Sequence, residues 1–304
     1  MRKAALNFVT NLAARDETVC FIGSDLGFGT MDDFPDPARL FREGVSEQHI
    51  VGMAAGLALE GKSVYVNTIA SFLTRRCYEQ IYLDLCLNRA KVCLLASGGG
   101  LVYAPLGPTH LAPDDLAMLR PLPHLTIIAP CDAEEMRRLL PLAAELDGPV
   151  YVRLAKGGDP VVSPAADPAV PYAVGRAVPL RPEGEALLIT TGIAAQMALG
   201  AADLLAKEGL SAQVLHCHTV KPLDEEAVLE RAGRARLVVT VEEHVRAGGL
   251  GGAVAELLAD HGLSTPLRRA ALPDAFFCQH GGQNDVLAQH GLTAAGVAAL
   301  ARRA

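Results

Sequence analysis

The sequence predicts two α/β domains, each built as a largely parallel β-sheet between two layers of helices, and three observations support this class. Short apolar runs alternate with longer amphipathic ones along the chain. The short runs are rich in Val, Ile and Leu without alternation, which is typical of strands buried on both faces of a parallel sheet. The pattern lapses once near the middle, and 304 residues suit two cores of about 150 residues each.

The first predicted domain, residues 1–157, alternates five strands with four helices. Such alternation implies right-handed crossovers and helices on both faces of the sheet. The predicted strands are 18–23, 63–68, 91–96, 124–129 and 149–153, and the predicted helices are 2–14, 47–60, 72–88 and 132–146.

A linker over residues 158–178 is predicted because Gly157-Gly158-Asp159-Pro160 is followed by further prolines at 164, 168 and 171. The second predicted domain, residues 179–304, repeats the alternation on a shorter scale. Its predicted strands lie near 186–191, 213–217, 237–242 and 267–271, and its predicted helices near 194–207, 224–232, 250–261 and 293–303.

Composition argues against several functional classes. Half of the residues are hydrophobic and 20% are charged, so a large buried core is expected. A formal net charge of -7 without any Lys/Arg run argues against nucleic-acid binding. No segment approaches the roughly 18 uninterrupted apolar residues of a membrane span, and the N-terminal residues turn polar at once, unlike a signal peptide. We therefore expect a soluble, cytoplasmic protein without a nucleic-acid or membrane partner.

The spacing of cysteines and histidines indicates no metal site. The seven cysteines are scattered without a Cys-x-x-Cys pair, and they are expected to be small core hydrophobes. The nine histidines lack metal-binding spacing as well. His216-Cys217-His218 is the densest cluster, but a strand would send Cys217 to the face opposite the two histidines.

Three segments carry candidate functional residues, and each has an ordinary structural explanation when taken alone. Glu47 follows Ser46, a possible helix cap, and a carboxylate in the first turn is favoured by the helix dipole. Phe72 follows a predicted strand, at the end where α/β sheets place ligands, although an aromatic there is more often part of the core. His110 closes a Gly-Pro-Thr-His turn, where a histidine is usually a surface residue.

The predicted helix that begins at Glu47 also carries small residues along its length. Small side chains permit close approach of another backbone, so this helix suits a tight interface between protein chains. The residues are Gly52, Ala54, Ala55, Gly56 and Ala58.

Taken in order, these segments resemble the pyrimidine-binding domain of the transketolase family. The matching motifs, over residues 2 to about 155, are Glu47-Gln48-His49 with Gly52 and Gly56, Ser71-Phe72, Arg76-x-Tyr78-Glu79-Gln80-Ile81, Gly107-Pro108-Thr109-His110 and Leu122-Pro123-His124 through Pro130-Cys131-Asp132. The remainder resembles the family's C-terminal domain, with Thr190-Thr191-Gly192, Thr219 through Asp224, and Val241-Glu242-Glu243-His244. The resemblance implies a thiamine-diphosphate-binding fold followed by a transketolase C-terminal-like domain.

The resemblance also implies roles for four residues toward thiamine diphosphate and the substrate. Glu47 matches the glutamate that hydrogen-bonds the aminopyrimidine and favours its imino tautomer, whose nitrogen generates the thiazolium ylid. Phe72 matches the aromatic that stacks on the pyrimidine, and Asp25 matches an acidic residue near the cofactor. His110 matches the histidine that faces the reacting substrate, where it can hydrogen-bond hydroxyls and aid proton transfer.

The diphosphate half of the expected site is missing from the sequence. The family holds the diphosphate and Mg²⁺ through a Gly-Asp-Gly followed by an Asn in an N-terminal domain, and these 304 residues contain no Gly-Asp-Gly. The resemblance therefore implies a separate N-terminal subunit that carries this motif and Mg²⁺. Two copies of the present chain would form the central dimer of an α2β2 heterotetramer. The expected reaction is transfer of a two-carbon ketol unit from a ketose to an aldehyde or aldose acceptor.

Three alternatives stay open. 1-Deoxy-xylulose-5-phosphate synthase is the runner-up, whereas the Phe72–Tyr78 spacing and the Gly-Pro-Thr-His turn favour transketolase over the β subunits of 2-oxoacid dehydrogenases. A catalytically silent dimeric partner with the same fold belongs to another class of function. Such a protein has no need to retain Glu47, Phe72 and His110 together.

The expected substrate pocket departs from the family pattern. Leu106 stands where transketolases have an aspartate that binds a sugar hydroxyl, and leucine can neither donate nor accept a hydrogen bond. Arg2 matches a phosphate-binding arginine, but Lys156 stands where a second arginine is usual and lacks bidentate geometry. Gly29 and Gly98 replace a serine and a histidine that assist them. We therefore expect a non-standard acceptor, unless neighbouring loops or the partner chain supply the lost contacts.

Overall fold

The computed structural model describes residues 1–24, 30–165 and 172–302. Twelve strands are found in these ranges. They are β1 (Val19–Ser24), β2 (Leu40–Glu43), β3 (Ser63–Ile69), β4 (Val92–Ser97), β5 (Thr126–Ile128), β6 (Val150–Leu154), β7 (Val178–Arg181), β8 (Ala186–Thr190), β9 (Ala212–His216), β10 (Thr219–Lys221), β11 (Leu237–Val245) and β12 (Leu267–Leu272).

The strands form two sheets. The first has the order β10-β5-β6-β4-β3-β1-β2, and its pairings are parallel except that of β10 with β5. The second has the order β12-β11-β8-β9-β7, and its pairings are parallel except that of β7 with β9. Both sheets are thus largely parallel, as the sequence predicts.

Ten α-helices accompany the sheets in the described part of the chain. They are α1 (Arg2–Ala13), α2 (Glu47–Leu59), α3 (Tyr78–Gln80), α4 (Asp115–Leu119), α5 (Ala133–Ala144), α6 (Ala194–Ala206), α7 (Glu225–Arg234), α8 (Leu250–Asp260), α9 (Gln283–Gln289) and α10 (Ala294–Arg302). The predicted helix 72–88 is divided, because α3 lies between two π-helical segments, Phe72–Arg76 and Ile81–Leu87.

The core explains why the strand sequences are continuously apolar. Neighbouring residues of β4, Leu94 and Leu95, are both fully buried but belong to clusters on opposite faces of the first sheet. Leu187 and Leu188 of β8 do the same in the second sheet. Each sheet is therefore covered on both faces, which confirms the predicted three-layer architecture. Among the described residues, no helix has the length and apolar character needed to cross a bilayer.

Most of the cysteines lie in these cores, as expected. Six of the seven are buried, and burial raises the pKa of the Cys93 thiol to about 12, which leaves it protonated and unreactive. The expectation is wrong for Cys278, which is exposed.

Several contacts join the two sheets through buried polar groups. The guanidinium of Arg153 donates to Asp115 Oδ2 at 2.8 Å and to the backbone carbonyl of Glu243 at 3.0 Å. The Glu243 carboxylate accepts from Leu101 N at 2.7 Å and from Gln283 Nε2 at 2.8 Å. Burial is the largest influence on this carboxyl and raises its pKa to about 7. Together with the β5–β10 pairing, these bonds fasten the second sheet to the first.

Candidate functional site

Four functional side chains come from consecutive strand ends of the first sheet. Ser24 ends β1, and Glu47 begins α2 shortly after β2. Phe72 follows β3, and His110 lies in the loop after β4. Because parallel strands share one carboxyl edge, these residues meet where α/β proteins bind ligands.

Glu47 is buried at the first position of α2, with a relative exposure of 4%. Its carboxylate accepts a hydrogen bond from Ser24 Oγ at 3.1 Å and another from Arg76 Nη1 at 3.0 Å. Ser46 occupies the N-cap position without a side-chain capping bond, contrary to expectation, and its hydroxyl lies 3.3 Å from the Gly44 carbonyl instead. Helix capping therefore does not account for the burial of the Glu47 carboxylate.

The ring of Phe72 is the centre of a small stack. The His110 ring approaches it edge-on, with centroids 5.1 Å apart and planes at 63°. The guanidinium carbon of Arg76 lies 3.8 Å from the same ring centroid, which is a cation–π distance. Thr109 holds this loop in place, because its hydroxyl lies 2.9 Å from His110 Nδ1 and its carbonyl accepts from Ser71 Oγ at 3.3 Å.

The π-helical segment Phe72–Arg76 determines which arginine reaches the site. Arg76, its last residue, turns back over Phe72, its first. Arg75 turns away, pairs with Asp114 at 2.7 Å and donates to the Leu111 carbonyl at 2.6 Å. Single-turn π-helices occur frequently at functional sites, where they redirect side chains.

A cavity of about 1310 Å³ adjoins this stack and lies between the two sheets. Ser71, Phe72 and Thr109 line its wall on the first-sheet side. Four arginines and two aspartates also line it: Arg75, Arg76, Arg246, Arg269, Asp114 and Asp274. The arrangement presents one face of the Phe72 region to a wide, mixed-charge space large enough for a cofactor and a small substrate.

The other predicted site residues lie elsewhere. Leu106 is exposed in the loop before His110, and Lys156 is exposed after β6. Arg2 begins α1 near Lys156, because the amine of Met1 is 3.6 Å from the place that a Cβ on Gly157 would occupy. None of these three is among the described residues that line the cavity. Asp25 and Gly29 lie outside the described residues.

The paired carboxylate and ring fit an aminopyrimidine. Glu47 offers a buried acceptor, Phe72 offers a ring for stacking, and the guanidinium of Arg76 already makes both kinds of contact with them. A flat, nitrogen-bearing heterocycle could use the same two contacts. The sequence motifs located Glu47, Phe72 and His110, but they assigned no role to Ser24 or Arg76, whose contacts appear only in the folded chain.

Comparison with known families agrees with this geometry. The family model of the transketolase pyrimidine-binding domain matches residues 1–158, and that of the transketolase C-terminal domain matches residues 175–297. The chain belongs to the transketolase family. The resemblance drawn from the sequence motifs is thereby confirmed.

Relatives within the transketolase family fall into two groups by length. One of the two subunits of an apulose-4-phosphate transketolase from Phocaeicola vulgatus is 34% identical over 299 residues, which are 97% of this chain and 94% of that protein. 1-Deoxy-D-xylulose-5-phosphate synthase from Heliobacterium modesticaldum is 39% identical over 295 residues, or 96% of this chain. The chain spans only 45% of that synthase's length.

Solved structures show the same division. A split gene transketolase, described as an inactive β4 tetramer, superposes with a TM-score of 0.90 and 33% identity and covers 100% of this chain and 97% of that one. The transketolase of Campylobacter jejuni superposes with a TM-score of 0.78 at 18% identity, and the match covers 98% of this chain and 46% of that one. This second likeness supports the fold alone.

Proposed function

We propose that this chain is the pyrimidine-binding subunit of a two-chain, thiamine-diphosphate-dependent enzyme that transfers a two-carbon ketol unit from a ketose to an aldehyde or aldose. The observation that carries the proposal is the pairing of the buried Glu47 carboxylate with the Phe72 ring at one strand edge, inside a transketolase-family chain. A partner that had kept only the fold would need neither contact.

Each residue then has a definite task. When bound, thiamine diphosphate supplies a thiazolium carbon that acts as the carbanion carrying the two-carbon unit. Glu47 binds and orients the aminopyrimidine and shares a proton with its ring nitrogen. Ser24 fixes the Glu47 carboxylate through its hydroxyl, and Phe72 stacks on the ring. His110, at the edge of Phe72, holds substrate hydroxyls and moves protons to or from them.

The division into two chains is part of the proposal. The 304 residues lack the Gly-Asp-Gly with which the family binds Mg²⁺ and diphosphate, and the transketolase subunit from Phocaeicola vulgatus has nearly the same extent. We infer that a second chain with this motif supplies the diphosphate and Mg²⁺ contacts. The split gene relative, described as inactive in its β4 form, gives a precedent for a β chain that needs a partner.

Calorimetric titration tests this division. The isolated chain should bind thiamine diphosphate weakly with or without Mg²⁺, because ring stacking cannot replace charge-neutralising contacts to a diphosphate. It should also show no ketol transfer. Adding a Gly-Asp-Gly-bearing chain from a neighbouring reading frame should restore both properties. Tight, Mg²⁺-dependent binding by the isolated chain would refute the split site.

Synthesis of 1-deoxy-xylulose 5-phosphate is the second candidate, because several synthases share 36–40% identity with this chain. The two reactions differ in what the donor loses. The synthase reaction consumes pyruvate and releases CO₂, whereas ketol transfer shortens a ketose by two carbons without gas release. Supplying the reconstituted complex with pyruvate or with a ketose, each with an aldehyde acceptor, distinguishes them directly.

A further inference from the structure

A second cluster of reactive side chains lies where the two sheets meet, apart from the Glu47–Phe72 site. Cys131 follows β5, Glu135 lies in α5 and His216 ends β9. All three are fully buried, and each offers one ligand atom within 4.8 Å of those of the other two. His216 Nε2 is 2.9 Å from Glu135 Oε2. The cluster therefore joins α5, on the first sheet, to β9 of the second.

Several polar atoms of this cluster have no hydrogen-bond partner within the described ranges. They are Glu135 Oε1, His216 Nδ1, His218 Nε2 and Thr190 Oγ1, the last belonging to the residue beside His216 on β8. More than nine in ten buried polar groups in proteins are paired. Four unpaired atoms around one histidine therefore point to a ligand rather than to a self-contained hydrogen-bond network.

We propose that Cys131, Glu135 and His216 bind a Zn²⁺ ion, with His218 as the side chain best placed to complete the coordination. Thiolate, carboxylate and imidazole are the ligands that zinc takes in proteins. One thiolate and one carboxylate neutralise the dication, so the buried site carries no net charge. In tetrahedral zinc sites the ligand atoms lie about 3.3–3.6 Å apart, so closing around the ion needs shifts of only about 1 Å.

His218 is oriented toward this role by its neighbours. Its Nδ1 lies 2.9 Å from Thr219 Oγ1, which leaves Nε2 as the nitrogen available for the ion. Tyr172 stacks on its ring at 5.7 Å, and the His216 ring lies 6.3 Å away. Hydrogen bonds of this kind to the second ring nitrogen are typical of metal-binding histidines.

Asp132, although adjacent, is engaged elsewhere. Its carboxylate accepts from the backbone of Glu134 and Glu135 as the cap of α5, and from Val162 N and Ser163 N. The competing explanation is a Glu135–His216 ion pair without metal. That pair uses Glu135 Oε2 only, leaves Oε1 and His216 Nδ1 unpaired, and gives the Cys131 thiol no role.

Metal analysis of the full chain tests the proposal. The parent should carry Cys278→Ser, because an exposed thiol can bind metal adventitiously. After equilibration with Zn²⁺ and gel filtration, plasma mass spectrometry should find about one zinc per chain. Cys131→Ser should lower the content at least tenfold. Cys217→Ser is the matched control, because this buried cysteine packs in a different cluster and should leave the content unchanged.

Cobalt substitution supplies a readout that does not depend on how the variants fold. The parent with Co²⁺ should show a thiolate-to-cobalt charge-transfer band, which Cys131→Ser removes and Cys217→Ser keeps. If Cys131→Ser does not fold, the parent spectrum still decides, because only a cysteine ligand gives that band. A parent with less than about a tenth of an equivalent of zinc and no such band would overturn the proposal. Full zinc retention by Cys131→Ser would do so as well.

Discussion

The guanidinium of Arg76 lies 3.8 Å from the centroid of the Phe72 ring. The same group binds the Glu47 carboxylate at 3.0 Å. In the proposed cofactor complex, the aminopyrimidine makes these two contacts instead, a stack on the ring and a hydrogen bond to the carboxylate. Arg76 and the pyrimidine therefore compete for one place. Because the Arg76 side chain is 46% exposed, it can move into the adjoining cavity when the cofactor enters.

Replacing Arg76 by Met should tighten cofactor binding. The wild-type complex must first break a cation–π contact and an ion pair, each worth about 1 kcal/mol at a partly exposed position. The variant should therefore bind thiamine diphosphate roughly 3- to 30-fold more tightly, measured as the Kd of the reconstituted complex. Arg75→Met is the matched control, because Arg75 pairs with Asp114 rather than Glu47. Weaker binding by Arg76→Met would show instead that Arg76 holds the cofactor.

Glu47→Gln in the reconstituted complex should nearly abolish turnover and leave the fold intact. The amide keeps the size of the side chain but cannot share a proton with the pyrimidine nitrogen. Acid–base groups of this kind contribute about 10²–10⁴ in rate. Steady-state kinetics and circular dichroism measure the two effects, with the exposed Glu60→Gln as a control on the same helix. If more than about a tenth of the activity survives, Glu47 serves only the helix start.

The exposed side of α2 should form the interface between two copies of the chain. A Cβ at Gly56 would meet nothing within 4 Å, and four large hydrophobic side chains are exposed on α2 and the following helical stretch: Leu59, Tyr82, Leu83 and Leu87. A C₂ pairing through such a face is the commonest closed symmetry.

Gly56→Gln should therefore weaken self-association by at least tenfold while the monomer stays folded, because the new side chain has space in the monomer but not in a tight helix pair. Light scattering at a series of concentrations measures the effect. Gly233→Gln, also in a helix and free of close neighbours, should leave association unchanged. A wild-type chain that stays monomeric both alone and with its partner would contradict the proposed interface.

The two-domain fold could be predicted from the sequence because long buried strands and helices leave a clear pattern. Elements of three or four residues, such as β2 and β10, are too short for hydrophobic periodicity to detect. The site was only partly predictable, for a different reason. Motifs placed Glu47 and Phe72, but the Ser24 and Arg76 contacts to Glu47 join residues 23 and 29 positions apart. Such contacts are products of tertiary packing.

Stability should depend on pH through Glu243. Burial raises its pKa from 4.5 to about 7, so the folded chain favours the neutral carboxyl. Stability from this group is complete below about pH 4.5 and is lost as the pH rises toward 7, by on the order of 3 kcal/mol. Relative to Glu243→Gln, the wild type should therefore lose free energy of unfolding between pH 5 and pH 8 in urea titrations. The exposed Glu183→Gln should show no such difference.

The region of the proposed acceptor pocket is closed in ways that the family pattern does not anticipate. A Cβ on Gly98 would lie 2.1 Å from the Tyr103 ring, so a histidine cannot stand there unless Tyr103 moves. Leu106 ends a short 3₁₀ turn, Ala104–Leu106, and is 55% exposed. An aspartate at position 106 can therefore be introduced without disturbing the core.

Comparing kcat/KM for acceptor aldehydes tests whether Leu106 sets the acceptor. Ribose 5-phosphate, a non-phosphorylated aldose and a deoxy aldehyde should be compared with the wild-type complex, Leu106→Asp and the exposed control Val45→Asp. A site that hydrogen-bonds a hydroxyl can discriminate against its absence by about 10⁴-fold, whereas an apolar site cannot. The wild type should thus discriminate little against the deoxy acceptor, and Leu106→Asp should gain at least tenfold toward the hydroxylated one. If the wild type already prefers ribose 5-phosphate by several powers of ten and Leu106→Asp brings no gain, the lost contacts come from other residues and the acceptor is ordinary.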